Sequence, residues 1–94
     1  MQADRKDKKM NPVDKDLKEI GFSYEELAQV RNWLADNFNL TLNRVPRKGW
    51  LVAGLVKGVE GAQWGTLWIG LALLRDLLLA PEKFIRENAH YWNL

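Results

Sequence analysis

Hydrophobic residues recur at helical spacing in the first part of the chain. Val13, Leu17 and Ile20 would lie on one side of a helix, with charged residues between them. Asn11-Pro12 precedes them, and this pair suits a helix start because Asn caps well and Pro fits the first turn. Gly21 follows as a stop signal. The pattern predicts a short helix that ends before Gly21.

A second helical pattern follows at once and has a stronger start signal. Ser23-Tyr-Glu-Glu26 is a capping box, in which the first and last side chains satisfy each other's backbone N–H groups. Phe22 stands where a hydrophobic staple to Leu27 is expected. The apolar positions after it keep helical spacing; they are Leu27, Val30, Trp33, Leu34 and Phe38. We therefore expect a helix over residues 24–38.

Residues 39–46 alternate polar and apolar side chains, which is compatible with a short strand. No second strand pattern is evident that could pair with it. An extended linker that ends at Pro46 is the simpler interpretation, because the residue before a proline favours extended backbone.

The segment from residue 47 to 80 is apolar and helical in character, with glycines at 54, 58, 61 and 65. In one continuous helix these glycines would form a narrow stripe that lets another backbone approach closely. The alternative, which we favour, is a tight corner at 58–61 that divides the segment into two helices. The second half, 64–79, is hydrophobic on nearly every side, as in a central helix.

Pro81 opens a last helix, with Phe84, Ile85 and Trp92 directed inward. Together these patterns predict an all-α fold, a compact bundle of three to five helices. One helical domain would span residues 11–94. Residues 1–10 mix Asp with Lys and Arg, bury nothing, and are expected to be a disordered basic tail.

Few side chains in this chain suit catalysis. The chain has no cysteine, one histidine (His90) and one serine, and the capping box already accounts for Ser23. No second histidine or acid cluster completes a metal site. We therefore expect no catalytic residues, no bound metal, no cofactor and no enzymatic activity. The lack of cysteine, with no signal peptide evident, favours a cytoplasmic location.

Basic residues concentrate in the middle of the chain. The net charge is only +2, but no acid occurs between Asp36 and Glu60. The cations in that interval are Arg44, Arg47, Lys48 and Lys57. Cations of this kind neutralise phosphates, and Trp50 could stack on a base. The interval thus predicts a nucleic-acid contact; the competing interpretation is a solvated loop with Trp50 in the core.

Five tryptophans in 94 residues are more than a small core readily accommodates. We expect the second half to form an interface with another copy or a larger protein; its candidate residues are Trp64, Trp68, Leu71 and Trp92. A membrane span over 64–80 is not expected, because Arg75-Asp76 interrupts a run that is already short. Attachment to a membrane surface through Trp64 and Trp68 is an alternative.

The layout of residues 44–80 resembles small conjugal-transfer and plasmid-mobilisation accessory proteins. The resemblance lies in Arg47-Lys48-Gly-Trp-Leu-Val-Ala-Gly-Leu-Val-Lys57, then Trp64, then the Leu-rich run 71–79. It implies DNA association beside a relaxase, with Arg44, Arg47 and Lys48 as the basic lead-in. The N-terminal half departs from the charged coiled coil of many members.

These observations predict a non-enzymatic accessory subunit that binds nucleic-acid backbone and associates with itself or a larger complex. The first alternative is a protein-interaction adaptor or assembly factor without nucleic-acid affinity. The second alternative is a helical protein attached to a membrane surface.

Overall fold

The protein is a mixed α/β domain, and the prediction of an all-α bundle is wrong. The computed structural model describes residues 11–58 and 60–94, so the tail predicted at 1–10 lies outside it. The elements in chain order are α1 (Pro12–Ile20), α2 (Tyr24–Phe38), β1 (Leu40–Val45), β2 (Gly49–Gly58), β3 (Gly61–Ile69), α3 (Leu71–Leu79), α4 (Pro81–Glu87) and a 3-10 helix (Ala89–Trp92).

The two N-terminal helices confirm the capping signals read from the sequence. At the start of α1, the Asn11 side chain accepts a hydrogen bond from the Asp14 N–H at 2.9 Å. Gly21 ends this helix in the left-handed region, with φ 81°. In α2, Ser23 Oγ accepts from the Glu26 N–H at 3.1 Å, and the Glu26 carboxylate accepts from the Ser23 N–H at 2.8 Å. Both halves of the capping box are therefore formed.

The middle of the chain is a three-stranded antiparallel sheet in the order β1-β2-β3. The predicted linker at 39–46 is β1, and its partner is the first half of the segment predicted as helix. Leu42 pairs with Val52, which in turn pairs with Leu67. Helical structure resumes only at Leu71, where α3 begins.

The four glycines predicted to line a helix lie in two cross-strand pairs. Gly54 pairs with Gly65, and Gly58 pairs with Gly61 on either side of the β2–β3 turn. The tight corner expected at 58–61 is thus the turn of a β-hairpin. The first residue of β1, Leu40, pairs with Gly54. The end of the β2–β3 hairpin, from the Leu55–Trp64 pair onward, therefore extends beyond β1.

One face of the sheet joins the helices in a single core. Successive side chains of a strand point to opposite faces, so the even-numbered residues of β1 and β2 share a face with the odd-numbered residues of β3. This face packs with buried side chains of all four helices and the 3-10 helix. The core includes Leu17, Leu27, Leu34, Leu40, Leu42, Trp50, Val52, Ile69, Leu74, Leu77, Ile85 and Trp92.

The last two elements agree with the expectation for the C-terminal segment. Pro81 begins α4, and Phe84 and Ile85 are buried. Among the helices that the structure describes, none combines the length and the apolar character needed to cross a membrane.

Candidate functional site

The second face of the sheet carries exposed aromatic and aliphatic side chains. We call it the open face; its residues are Thr41, Asn43, Val45, Leu51, Ala53, Leu55, Ala62, Trp64, Thr66 and Trp68. Large hydrophobic side chains on it are exposed to solvent. Trp64 is 67% exposed, Leu55 51% and Trp68 45%. Exposed apolar surface of this kind commonly marks a binding site.

The two exposed indoles occupy positions fixed by strand pairing. Trp64 lies opposite Leu55, and Trp68 lies opposite Leu51. Both belong to β3 and to the same face. They are four residues apart, which corresponds to about 13 Å along a strand. The open face thus presents two separated aromatic rings, with Ala53 and Thr66 paired between them.

A pair of cations lies at the end of the open face nearest Trp68. The β1–β2 turn contains Pro46, Arg47 and Lys48, and the Lys48 N–H donates to the Val45 carbonyl at 3.0 Å. Arg47 adopts a positive φ of 67°, and both basic side chains are exposed. Lys48 Nζ lies 5.9 Å from the centre of the Trp68 ring, within cation–π range. Positive charge and an accessible aromatic ring are therefore adjacent.

Charge divides between the two layers of the domain. The strands contain no acidic residue, and residues 40–69 hold four Lys or Arg against one acid, Glu60 in the β2–β3 turn. The helical segments, 11–39 and 70–94, hold six Lys or Arg and nine acids. The sheet layer is thus positive and the helical layer negative. This division is hidden in a net charge of +2, and the exposed cations Arg47 and Lys48 favour an anionic ligand at the end of the open face beside the β1–β2 turn.

Two residues of the predicted nucleic-acid contact lie on the buried side instead. Trp50 is only 1% exposed, and its Nε1 donates to Asp16 Oδ2 at 2.9 Å. The same oxygen accepts from Arg44 Nε at 2.8 Å. Trp50 is therefore a core residue that cannot stack on a base without unfolding, and the charge of Arg44 is paired. Asp16 lies in α1, 28 residues from Arg44 and 34 from Trp50, so no local pattern indicates that the three side chains meet.

The other predicted residues are dispersed. Lys57 lies near the far end of β2, where it pairs with Ala62. Leu71 starts α3 and packs partly against the core. Trp92 is 4% exposed, so its predicted role in an interface conflicts with its place in the core. Trp64 and Trp68 alone among the predicted interface residues share an exposed surface.

A groove of 410 Å³ lies beside Trp68 and is also lined by Asp16 and its hydrogen-bond partners Arg44 and Trp50. Its lining includes Lys48, Arg44 and Leu71. The groove thus brings together residues predicted separately for nucleic acid and for protein contact. Across residues 11–58 and 60–94, no group of three or more His, Cys, Asp or Glu side chains is placed to hold a metal ion.

Leu51 and Leu55 were missed as site residues because their segment was assigned to a helix. The alternation of buried and exposed positions would have identified them once a strand was assumed. Comparison of the chain with protein-family models, curated protein sequences and solved structures finds no match. The site must therefore be interpreted from its own chemistry.

Proposed function

We propose that this protein is a non-enzymatic accessory subunit that binds nucleic acid through the open face and the β1–β2 turn. One observation carries the proposal: two exposed indoles share one face of a sheet whose strands contain no acid, and one of them, Trp68, lies beside the exposed cation Lys48. Nucleic acid offers the two matching features, a chain of phosphates and flat aromatic bases.

The cations of the turn and the indoles of β3 have separate roles in this proposal. Arg47 and Lys48 contact phosphates, and their charge makes binding weaken as salt rises, because counterions are released from the nucleic acid. Trp68 and Trp64 take the stacking role that the sequence suggested for Trp50. Association with itself or a larger complex, and a cytoplasmic location, remain part of the proposal; the absence of cysteine is compatible with a reducing compartment.

The proposal rests on the open face and not on the resemblance to plasmid-mobilisation accessory proteins. The resemblance covers residues 44–80, which were predicted as helical from residue 47 on, whereas the structure has β2 and β3 over most of that segment. A role beside a relaxase would need a separate test with that enzyme.

Fluorescence anisotropy with labelled DNA and RNA oligonucleotides, at low and moderate salt, tests the proposal. The informative variant is Arg47→Asn with Lys48→Gln, because asparagine tolerates the positive φ at position 47 better than alanine. Lys18→Gln with Lys83→Gln is the matched control, since it removes two exposed charges from the helical layer. We expect weaker binding and a shallower salt dependence only for the turn variant. Absence of binding at low salt would refute the proposal.

A second candidate function is protein binding without nucleic-acid affinity, favoured by the accessible apolar side chains of Leu51 and Leu55 on the open face. Exposed aromatic and aliphatic residues are typical of protein interfaces. This alternative predicts a stable complex, either a homo-oligomer visible by analytical ultracentrifugation or a protein recovered by affinity capture. It predicts no salt-sensitive oligonucleotide binding.

Attachment to a membrane surface remains the third candidate, now through the open face instead of a helix. Trp64 and Trp68 would insert at the headgroup level beside the cations of the turn. A blue shift of tryptophan emission on addition of anionic vesicles would support this candidate, and an unchanged spectrum would exclude it.

A further inference from the structure

We infer that the ligand of the open face is a single-stranded nucleic acid whose bases are unpaired and unstacked where they meet Trp64 and Trp68. This inference rests on the proposed function and specifies its substrate class. It follows from the separation of the two rings, from their exposure, and from the position of the cations relative to them.

The separation of the rings sets the first requirement. Trp64 and Trp68 lie about 13 Å apart along β3, whereas stacked bases follow one another at about 3.4 Å. The two indoles therefore cannot enclose one base or receive adjacent stacked bases. They fit two bases of an extended strand, each turned toward the sheet with its flat side against a ring.

The accessibility of base faces sets the second requirement. In a duplex each base is covered above and below by its neighbours, and freeing one costs a few kcal/mol. The two-stranded end of the β2–β3 hairpin has the form of a ribbon that a major groove can admit, but stacking on the rings of Trp64 and Trp68 requires exposed base faces, which a duplex does not offer. Stacking on sheet aromatics is instead the way in which small folds bind unpaired bases.

The positions of the cations indicate how a nucleic-acid strand would run across the open face. Lys48 lies beside Trp68, at the end of the sheet formed by the β1–β2 turn, and Trp64 lies toward the β2–β3 hairpin. A nucleic-acid strand bound along β3 would contact the cations Arg47 and Lys48 first, then Trp68, then Trp64. The phosphate beside the base on Trp68 would then fall next to the ammonium group of Lys48.

Charge complementarity favours this occupant over a second copy of the chain. Among the cations of residues 40–69, Arg44 is paired with Asp16 on the buried side, whereas Arg47 and Lys48 are exposed. Two open faces placed against each other would therefore bring together two surfaces with exposed cations. The strands supply no carboxylate to offset this repulsion. A polyanion faces no such repulsion and gains from the positive layer.

Paired variants of the rings separate stacking from simple apolar contact. Trp64→Phe with Trp68→Phe keeps two rings that can stack, whereas Trp64→Leu with Trp68→Leu keeps apolar side chains but no ring. Both positions are exposed, so we expect both variants to fold, and circular dichroism with urea unfolding verifies this. The probes are an oligodeoxythymidine and an oligouridine of about ten nucleotides, and a DNA duplex of the same length.

We expect the wild-type chain to bind one or both single strands more tightly than the duplex, with the DNA and RNA arms showing which sugar is preferred. Loss of a stacking ring should weaken single-strand affinity roughly 5- to 150-fold per base, and the phenylalanine variant should retain most of the affinity. The leucine variant should leave the weaker duplex binding almost unchanged.

The possible failures are distinguishable. Salt-sensitive binding that is equal for duplex and single strand, or unaffected by the leucine variant, would overturn this inference and leave the proposed function intact. No binding to any oligonucleotide at low salt would overturn both. Binding of the wild-type chain to anionic phosphatidylserine vesicles, with no binding of it to any oligonucleotide, would overturn both and assign the face to a lipid surface instead.

Discussion

The indole of Trp92 lies against the backbone of Gly65, and its Nε1 donates a hydrogen bond to the Gly65 carbonyl at 3.0 Å. A Cβ at position 65 would overlap the carbonyl oxygen of Tyr91 and lie 2.8 Å from Trp92 Cδ1. This contact joins the last element of the chain to the buried face of the sheet. It also keeps Trp92 in the core, leaving Trp64 and Trp68 as the exposed indoles of β3.

Replacement of this glycine should loosen that junction. We expect Gly65→Ala to lower the free energy of unfolding by about 1–3 kcal/mol, the usual cost of an added methyl group in a packed site. Urea unfolding followed by circular dichroism measures the change. Gly58→Ala is the control, because a Cβ there would make an ordinary contact of 3.6 Å with the Gly61 carbonyl. Equal destabilisation by both substitutions would contradict the packing assigned to Gly65.

Asp16 joins α1 to the sheet through one carboxylate oxygen. Because that oxygen accepts from both Arg44 and Trp50, Asp16→Ala would leave two donors without their partner. We expect a loss of about 2–3 kcal/mol of stability, as for a charged hydrogen bond in a largely buried setting. Asp16→Asn keeps one acceptor and should cost less. Asp36→Asn, on the exposed side of α2, should change stability by no more than about 0.5 kcal/mol.

The capping box of α2 gives a prediction that depends only on local structure. Removal of the Ser23 hydroxyl in Ser23→Ala leaves the Glu26 N–H without its acceptor, and we expect a loss of about 1 kcal/mol. Ser23→Asp should retain most of the stability, since aspartate caps as well as serine does. Thermal unfolding of the three chains compares them. A fully stable alanine variant would show that tertiary packing alone fixes the start of α2.

The ends of the chain were predictable because their signals are local. A capping box, an Asn-Pro start and a glycine stop act within one helical turn, so the sequence alone located α1 and α2. Pro81 located α4 in the same way. No long-range contact was needed for these assignments.

The middle of the chain was assigned wrongly for a reason connected with the site. A half-covered strand is recognised by alternation of apolar and polar residues, but the open face carries Leu51, Ala53 and Leu55 where polar side chains are usual. Because these residues of the proposed binding surface are apolar, β2 lacks the alternation by which a half-covered strand is recognised. The spacing of the glycines is the signal that could have identified the hairpin, because 54 and 65, like 58 and 61, are equally far from one point of the chain, as cross-strand partners are.

The site itself was predicted in part. Arg47 and Lys48 were identified from charge alone, and the structure places both in an exposed turn. Trp50 and Arg44 were grouped with them because they are neighbours in sequence. Because strand residues alternate between faces, these two side chains lie on the core side of the sheet. There they donate hydrogen bonds to Asp16 of α1, which is distant from them in sequence. Such a pairing across 28 and 34 residues has no local signature.

The exposure of the open face can be tested without any ligand. Acrylamide should quench the emission of Trp64 and Trp68 readily, that of the partly buried Trp33 less, and that of the buried Trp50 and Trp92 least. The double leucine variant should therefore lose most of the quenchable emission. If quenching of the wild type falls as protein concentration rises, a second copy covers the face, and the nucleic-acid proposal loses its binding surface.

The most direct measurement is a ¹H–¹⁵N correlation spectrum of the labelled protein during titration with a short single-stranded oligonucleotide at low salt. If the open face is the binding surface, the largest shifts will fall on its backbone amides, on those of the β1–β2 turn, and on the indole N–H groups of Trp64 and Trp68. The indole signals of Trp50 and Trp92 should hardly move. Shifts confined to the helical layer, or none at all, would contradict the assignment of the open face as a nucleic-acid site.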